Sequence, residues 1–240
     1  MSLPLFFVAA FAQDTVQLDE PTSKHIIGVL RMEKGESVLL TDGKGCKATA
    51  QIVDDNRKRC VVRVESIETE PASTPQVSVA ISIVKNASRF EWFLEKATEI
   101  GVNEIIPLLC DRTEKETFRY DRMHGILVSA MLQSQQTWLP VLHEPQPFEQ
   151  VIKNAVQEKK LIAHCLPEEK TQLSSIACGA SFITPPSALI LIGPEGDFTP
   201  KEIEGALAHH FVPVALGNTR LRTETAGIVA ATLLKQERMA

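Results

Sequence analysis

A chain of 240 residues with 44% hydrophobic and 23% charged residues has the makeup of a globular protein, with room for one large domain or two modest ones. A net charge of −5 excludes a general polyanion binder, which draws its strength from many Lys and Arg contacts to phosphate; it leaves room for a specific nucleic-acid enzyme with a local basic face. No apolar run is long enough to cross a membrane, and the five cysteines (Cys46, Cys60, Cys110, Cys165, Cys178) contain no Cys-x-x-Cys pair, which points to reduced, mostly buried thiols in a cytoplasmic protein without a metal site.

In chain order, the first 70 residues read as β. The apolar N-terminal run around Phe6 and Phe7 has no positive charge before it, so it is expected to be an internal strand that contributes to the core, not a signal peptide. A short helix is expected around Pro21 to Leu30. Ser37–Thr41 is a strand, and Asp42-Gly-Lys-Gly45 supplies the glycines that a tight turn with positive φ requires. Cys46–Val53 and Cys60–Ile67 are two further strands around a polar turn, and this pattern suggests a small barrel or sandwich. Glu70–Gln76, rich in Pro, Ser and Thr, reads as a linker.

Beyond it, strands alternate with helices. Val77–Val84 is an apolar strand, and Ser88-Arg-Phe-Glu91 predicts a capping box opening a helix that ends at Gly101. Glu104–Leu109 is a strand, and helices are expected over Tyr120–Gln136 and Phe148–Gln157. Leu161–His164 and Ala188–Ile192 are strands, the second continuously apolar as in a sheet buried on both faces. Thr199-Pro-Lys-Glu202 predicts a second capping box, for a helix running to His209 or His210. Val212–Leu216 is a strand and Thr223–Gln236 the last helix. The alternation implies a mostly parallel sheet covered on both faces.

Two loops in this half contain glycine and lie after strands: Ile192-Gly-Pro-Glu-Gly-Asp197, and Leu216-Gly-Asn-Thr-Arg-Leu-Arg222. Ligands of open α/β sheets bind at that edge, and glycine lets backbone come close to them. Neither loop is a Walker A or Gly-x-Gly-x-x-Gly motif, and each alone reads as a simple turn.

Together and in this order, Leu191–Ile203 and Leu216-Gly through Leu221-Arg-Thr-Glu-Thr-Ala226 resemble the cofactor signature of the bacterial 16S ribosomal RNA uracil-N3 methyltransferases, of the SPOUT superfamily. The resemblance covers nearly the whole chain. His25, Val29-Leu-Arg31, Gly35 and Asp42-Gly43 are similar to the family's N-terminal domain. Glu95–Val102 with Pro107 is similar to its first helix and following strand, and Ala130, Gln133-Ser134 and Pro140 fall at a related helix end. Three places depart from the pattern: Gly196-Asp197 where the family often has Gly-Gly, Leu132 and Gln136 flanking the Gln-Ser pair, and Thr219-Arg220 before Leu221.

The resemblance implies an α/β fold: a PUA-like β-barrel that binds RNA over 1–71, then a knotted (trefoil) methyltransferase domain over 75–240. It implies a cytoplasmic homodimer that uses S-adenosylmethionine, releases S-adenosylhomocysteine and needs no metal. The substrate would be N3 of a uridine in 16S rRNA of the small ribosomal subunit. Two other readings stay open: another SPOUT-type RNA methyltransferase with a ribose 2′-hydroxyl or transfer-RNA target, and a catalytically silent RNA-binding assembly protein.

The same resemblance places a cofactor site on Ile192, Gly193, Pro194, Glu195, Gly196, Leu216, Gly217, Leu221 and Thr223, with His164, Cys165 and Leu166 as a third wall. Arg222 is expected to face the developing uracil anion or a phosphate; a surface charge or an ion pair with Glu224 is its alternative. Glu224 reads equally as a general base and as a first-turn carboxylate favoured by the helix dipole. Glu195 either touches the ligand or rigidifies its loop. His25, Arg31, Arg89 and Arg220 are candidate RNA contacts, with Arg122 extending a basic face; a structural histidine and solvated arginines are the alternatives.

Overall fold

The computed structural model describes residues 3–11, 14–114, 117–166, 170–178 and 187–235, and for Ala177 and Cys178 the backbone only. It divides into two compact units.

One unit takes in Met1–Ala72 with Met131–Leu139. Its elements are β1 (Leu5–Phe7), β2 (Thr15–Gln17), α1 (Glu20–Lys24), β3 (Ser37–Thr41), β4 (Cys46–Asp54) and β5 (Val61–Thr69). They form one curled sheet in the order β1-β3-β4-β5-β2, antiparallel except for the β1–β3 pair. Alternate residues point inward: Val38 and Leu40 of β3 meet Ala48, Ala50 and Ile52 of β4 and Val62 of β5 in a core that also holds Phe6 and Ile26.

The helix expected over Pro21–Leu30 is present in two pieces. Asp19 caps α1 by accepting the Thr22 N–H at 2.8 Å. The chain then widens into a π-helical turn, His25–Val29, in which the Leu30 N–H reaches the His25 carbonyl. Gly28 and the β-branched Ile26, Ile27 and Val29 are weak α-helix formers, and the wider turn still buries Ile26.

The Asp42–Gly45 turn has the expected positive φ, 69° at Gly43 and 91° at Gly45. A Cβ on Gly45 would lie 2.5 Å from the Trp138 ring and 2.7 Å from the Glu70 carbonyl. The glycine thus admits the 137–139 segment, which is held by Gly45 N–H to Thr137 O, Leu139 N–H to Gly43 O, and the Thr137 hydroxyl to the Glu70 carboxylate.

The second unit, Ser73–Ala130 with Pro140–Ala240, contains β6 (Gln76–Ser82), α2 (Ala87–Ile100), β7 (Glu104–Leu109), most of α3 (Tyr120–Gln133), β8 (Val141–Leu142), β9 (Gln146–Pro147), α4 (Phe148–Asn154), β10 (Lys159–Ala163), β11 (Thr171–Gln172), α5 (Leu173–Cys178), β12 (Ser187–Ile192), α6 (Pro200–Ala208), β13 (Val212–Ala215) and α7 (Thr223–Lys235). The sheet runs β11-β13-β10-β12-β6-β7-β8, with β9 also on β7, and every pairing in it is parallel. Ala80, Leu108, Ile162, Leu189 and Leu191 pack against Phe148, Ile152, Phe198 and Ile203 of the α4–α6 side. On the opposite face Ile81 meets α7, which also packs on α2. Burial on both faces is why these strands are apolar throughout.

The capping box at Thr199 and Glu202 is present in both directions. The one expected at Ser88 is not: α2 begins at Ala87, and its cap is Asn86, which is extended and accepts the Ser88 N–H at 3.0 Å. Glu91, the expected box partner, instead holds Arg122 through two bonds of 2.6 and 2.9 Å. Gly101 ends the helix in the left-handed region as expected.

The path that would close the expected trefoil includes 167–169 and 179–186, and the last helix was expected to reach Gln236; these positions lie outside the described residues. Among the described residues no helix is long and apolar enough to cross a membrane.

Candidate active site

Parallel pairing brings the carboxyl ends of β10, β12 and β13 to one edge of the sheet. The loops that leave those ends, the start of α7 and the first turn of α2 enclose a cleft of about 390 Å³. Its lining includes Ile192, Gly193, Pro194 and Glu195 from the first glycine loop and Arg220, Leu221, Arg222, Thr223 and Glu224 from the second segment. The two motifs that were separate in the sequence therefore share one cleft.

The first loop is tied down on several sides. A Cβ on Gly193 would sit 3.1 Å from the Phe198 ring and 3.2 Å from its backbone nitrogen, so a side chain here would press on Phe198. The Gly193 carbonyl accepts the buried Thr223 hydroxyl at 3.0 Å, which joins the loop to α7. The Glu195 carboxylate accepts the Lys85 N–H at 3.2 Å, and Arg112 donates to the Gly196 carbonyl at 2.6 Å. Glu195 thus rigidifies its loop while lining the cleft.

Of the third wall, Cys165 lines the cleft, whereas His164 is buried and Leu166 packs toward the core. The Lys170 ammonium donates to the carbonyls of His164 and Leu166, both at 2.6 Å. Gly196, Leu216 and Gly217 do not line the cleft: Gly196 lies against Arg112, and Leu216 and Gly217 lead into the second segment.

Charge gathers at one side. Arg89, Arg220 and Arg222 all line the cleft with Glu224, whose side chain is only 9% exposed. The Glu224 carboxylate lies 3.7 Å from Arg89 Nε. The alternative pairing of Arg222 with Glu224 is absent, and Arg222, exposed just before the helix, forms no ion pair among the described residues. Its carbonyl accepts the Ala226 N–H, the first bond of α7. Arg89 is accordingly not a merely solvated helix arginine, while Arg122 is taken up by Glu91 and does not line the cleft.

His25 and Arg31 belong to the other unit. The exposed His25 ring stands edge-on to Phe6 at 6.1 Å, and Arg31 is in the left-handed region at φ 58°. Asp197 and Ala226, which lie in the two segments that carry the resemblance, also line the cleft, as does Ala163, which the sequence did not mark. Among the described residues no cluster of His, Cys, Asp and Glu suits a metal ion.

Comparison with known proteins agrees with this layout. A family described as an RNA methyltransferase domain matches residues 71–235, and one described as an RNA methyltransferase PUA domain matches residues 18–65. The chain is 31% identical over 221 residues to the ribosomal RNA small subunit methyltransferase E of Synechocystis sp. (strain ATCC 27184 / PCC 6803 / Kazusa), covering 90% of this chain and 71% of that protein. Among solved structures it is similar to a probable rRNA-methyltransferase from Porphyromonas gingivalis, with 38% identity, a TM-score of 0.88 and 95% of each chain covered. It is also similar to a ribosomal RNA small subunit methyltransferase E from Neisseria gonorrhoeae bound to S-adenosyl methionine, with 26% identity, a TM-score of 0.84, and 98% of this chain and 97% of that one covered. The parallel sheet with its glycine loops at one edge, preceded by a curled sheet of PUA type, is thus the SPOUT-class fold expected from the sequence, and the chain belongs to the RNA methyltransferase family.

Proposed function

We propose that this protein transfers a methyl group from S-adenosylmethionine to N3 of a uridine in 16S ribosomal RNA of the small ribosomal subunit. One observation carries the reading: the two glycine-bearing segments and three arginines meet in a single cleft at the carboxyl edge of the parallel sheet. Relatives that cover most of the chain are small-subunit ribosomal RNA methyltransferases, and the Neisseria protein holds S-adenosyl methionine.

The cleft suits the cofactor. Its volume falls within the usual range for small-molecule pockets. Ala163, Ile192, Leu221 and Ala226 offer apolar surface to an adenosyl group, and loop backbone offers neutral hydrogen-bonding groups. Ile192, Gly193, Pro194, Glu195, Cys165, Leu221 and Thr223 would hold it. When bound, S-adenosylmethionine supplies the methyl group as an electrophilic carbon on a sulfonium.

The chain's own task is the uracil. N3 of neutral uracil carries a proton and is a poor nucleophile, so that proton must leave and the charge spreading to O2 and O4 must be stabilised. Arg222, exposed just before α7 and in no ion pair among the described residues, would face that charge. Glu224, nearly buried in the cleft with Arg89 beside it, would act as base. The Watson–Crick edge must be exposed, so the base enters unpaired or flipped. Arg220 and Arg89 would hold flanking phosphates, and His25 and Arg31 of the N-terminal unit would also contact RNA. We infer a cytoplasmic homodimer.

Calorimetric titration tests the cofactor half of this reading. Saturable binding of one S-adenosylmethionine per chain, unchanged by a metal chelator, is expected. A chain that binds neither S-adenosylmethionine nor S-adenosylhomocysteine would instead be a silent RNA-binding protein.

A further inference from the structure

Asp197 sits at φ 63°, in the left-handed region where glycine is unstrained and most side chains are not. Its own N–H closes the turn onto the Pro194 carbonyl at 3.0 Å. The carboxylate divides between two loops: one oxygen accepts the Phe198 N–H at 2.9 Å, and the other accepts the Cys165 N–H at 2.8 Å. Cys165 leaves the end of β10, and Asp197 leaves the end of β12. The same β10 loop is gripped from its other side by Lys170, on the carbonyls of His164 and Leu166. Two opposite charges therefore hold three successive residues by their backbone, and the middle one lines the cleft.

We propose that Asp197 is a positioning residue for the cofactor: its carboxylate clamps the β10 loop to the Gly-Pro-Glu-Gly loop and fixes the wall on which S-adenosylmethionine lies. The proposal rests on the reading of the cleft as a cofactor site. Asp197 acts through the Cys165 backbone and takes no part in methyl transfer. A carboxylate suits the task because it offers two acceptors to two donors. Glycine at this position relieves the backbone and abandons the clamp; asparagine tolerates the backbone but can satisfy only one of the two N–H groups.

The test separates loop geometry from fold stability. In the cofactor-free protein, the rate of Cys165 alkylation by iodoacetamide, followed by peptide mapping, reports the loop directly. Cys165 is exposed, while Cys60 and Cys110 are buried, and burial pushes their thiols up to about 11 and about 12, so both stay protonated and slow. Asp197→Gly is expected to speed Cys165 labelling and to weaken the S-adenosylmethionine Kd, each by about tenfold, the scale of a lost charged hydrogen bond, with Tm no lower than that of the native chain. Asp197→Asn should fall between. A native Kd or native labelling rate in Asp197→Gly overturns the proposal. So does a Kd that weakens only because Tm has dropped. If the native chain itself binds no cofactor, the reading of the cleft fails and this proposal with it; tight binding by the native chain with an unchanged Kd in Asp197→Gly defeats this proposal alone.

Discussion

Arg222→Ala is expected to lower the rate of methyl transfer by about 100-fold or more while leaving S-adenosylmethionine affinity close to native. The magnitude is that of removing one preorganised donor from a developing anion. The asymmetry follows from position. Arg222 lines the cleft from the position just before α7, whereas the groups proposed to hold the cofactor come from Ile192–Glu195, Cys165, Leu221 and Thr223. Among the described residues no carboxylate ties up its guanidinium, in contrast to Arg89 beside Glu224 and Arg122 beside Glu91. Single-turnover transfer and calorimetric Kd, measured on the same variant, decide it. Equal losses in both would move Arg222 from the substrate side to the cofactor wall. Arg222→Lys refines the result: charge alone restores part of the rate, and a planar fork is needed for the rest.

Gly227→Ala is expected to destabilise the fold, although alanine is the better helix former. A Cβ at this position would lie 2.6 Å from Cε2 and 2.9 Å from Cδ2 of Phe93, and 2.9 Å from Cδ1 of Ile81. Both neighbours are completely buried and can give way only by displacing others. Helix propensity favours the substitution by about 1 kcal/mol. Overpacking a closed core opposes it by about 1–3 kcal/mol, and contact this close belongs at the upper end. Thermal unfolding should show a Tm several degrees lower. The displaced helix also carries Thr223 and Glu224 one turn earlier, so cofactor affinity should fall with it. A variant as stable as the native chain would mean that α7 packs less closely on α2 than the structure has it.

Much of this was readable from residue patterns, for identifiable reasons. Continuous apolar runs such as Ala188–Ile192 announce a strand buried on both faces, and Thr199 with Glu202 announces a helix start because the two side chains and the two N–H groups that they satisfy lie within one turn. The α2 start was misplaced by two residues because Asn86 and Ser88 are both competent caps; only the backbone, extended at Asn86, decides between them. The two-residue strands β8, β9 and β11 are too short to show any period. The pairing of 137–139 with the Asp42–Gly45 turn joins positions nearly a hundred residues apart, which no local pattern contains.

The cleft divides along the same line. Its glycine loops carry a signature, since close backbone approach restricts residue type at several adjacent positions. Arg89 on α2 has no such mark; what makes it a cleft residue is the nearly buried Glu224 brought beside it by the packing of α7 on α2. Leu216 and Gly217, equally prominent in the motif, precede the lining residues and are not among them.

The most direct measurement is methyl transfer from labelled S-adenosylmethionine to purified small ribosomal subunits that lack their methylations, followed by nucleoside analysis of the 16S RNA. The predicted result is label recovered as N3-methyluridine, lost in Arg222→Ala. Label in a ribose 2′-O-methyl nucleoside or in another base would contradict the N3 assignment, and no transfer from a chain that binds neither the cofactor nor its product would contradict the enzyme itself.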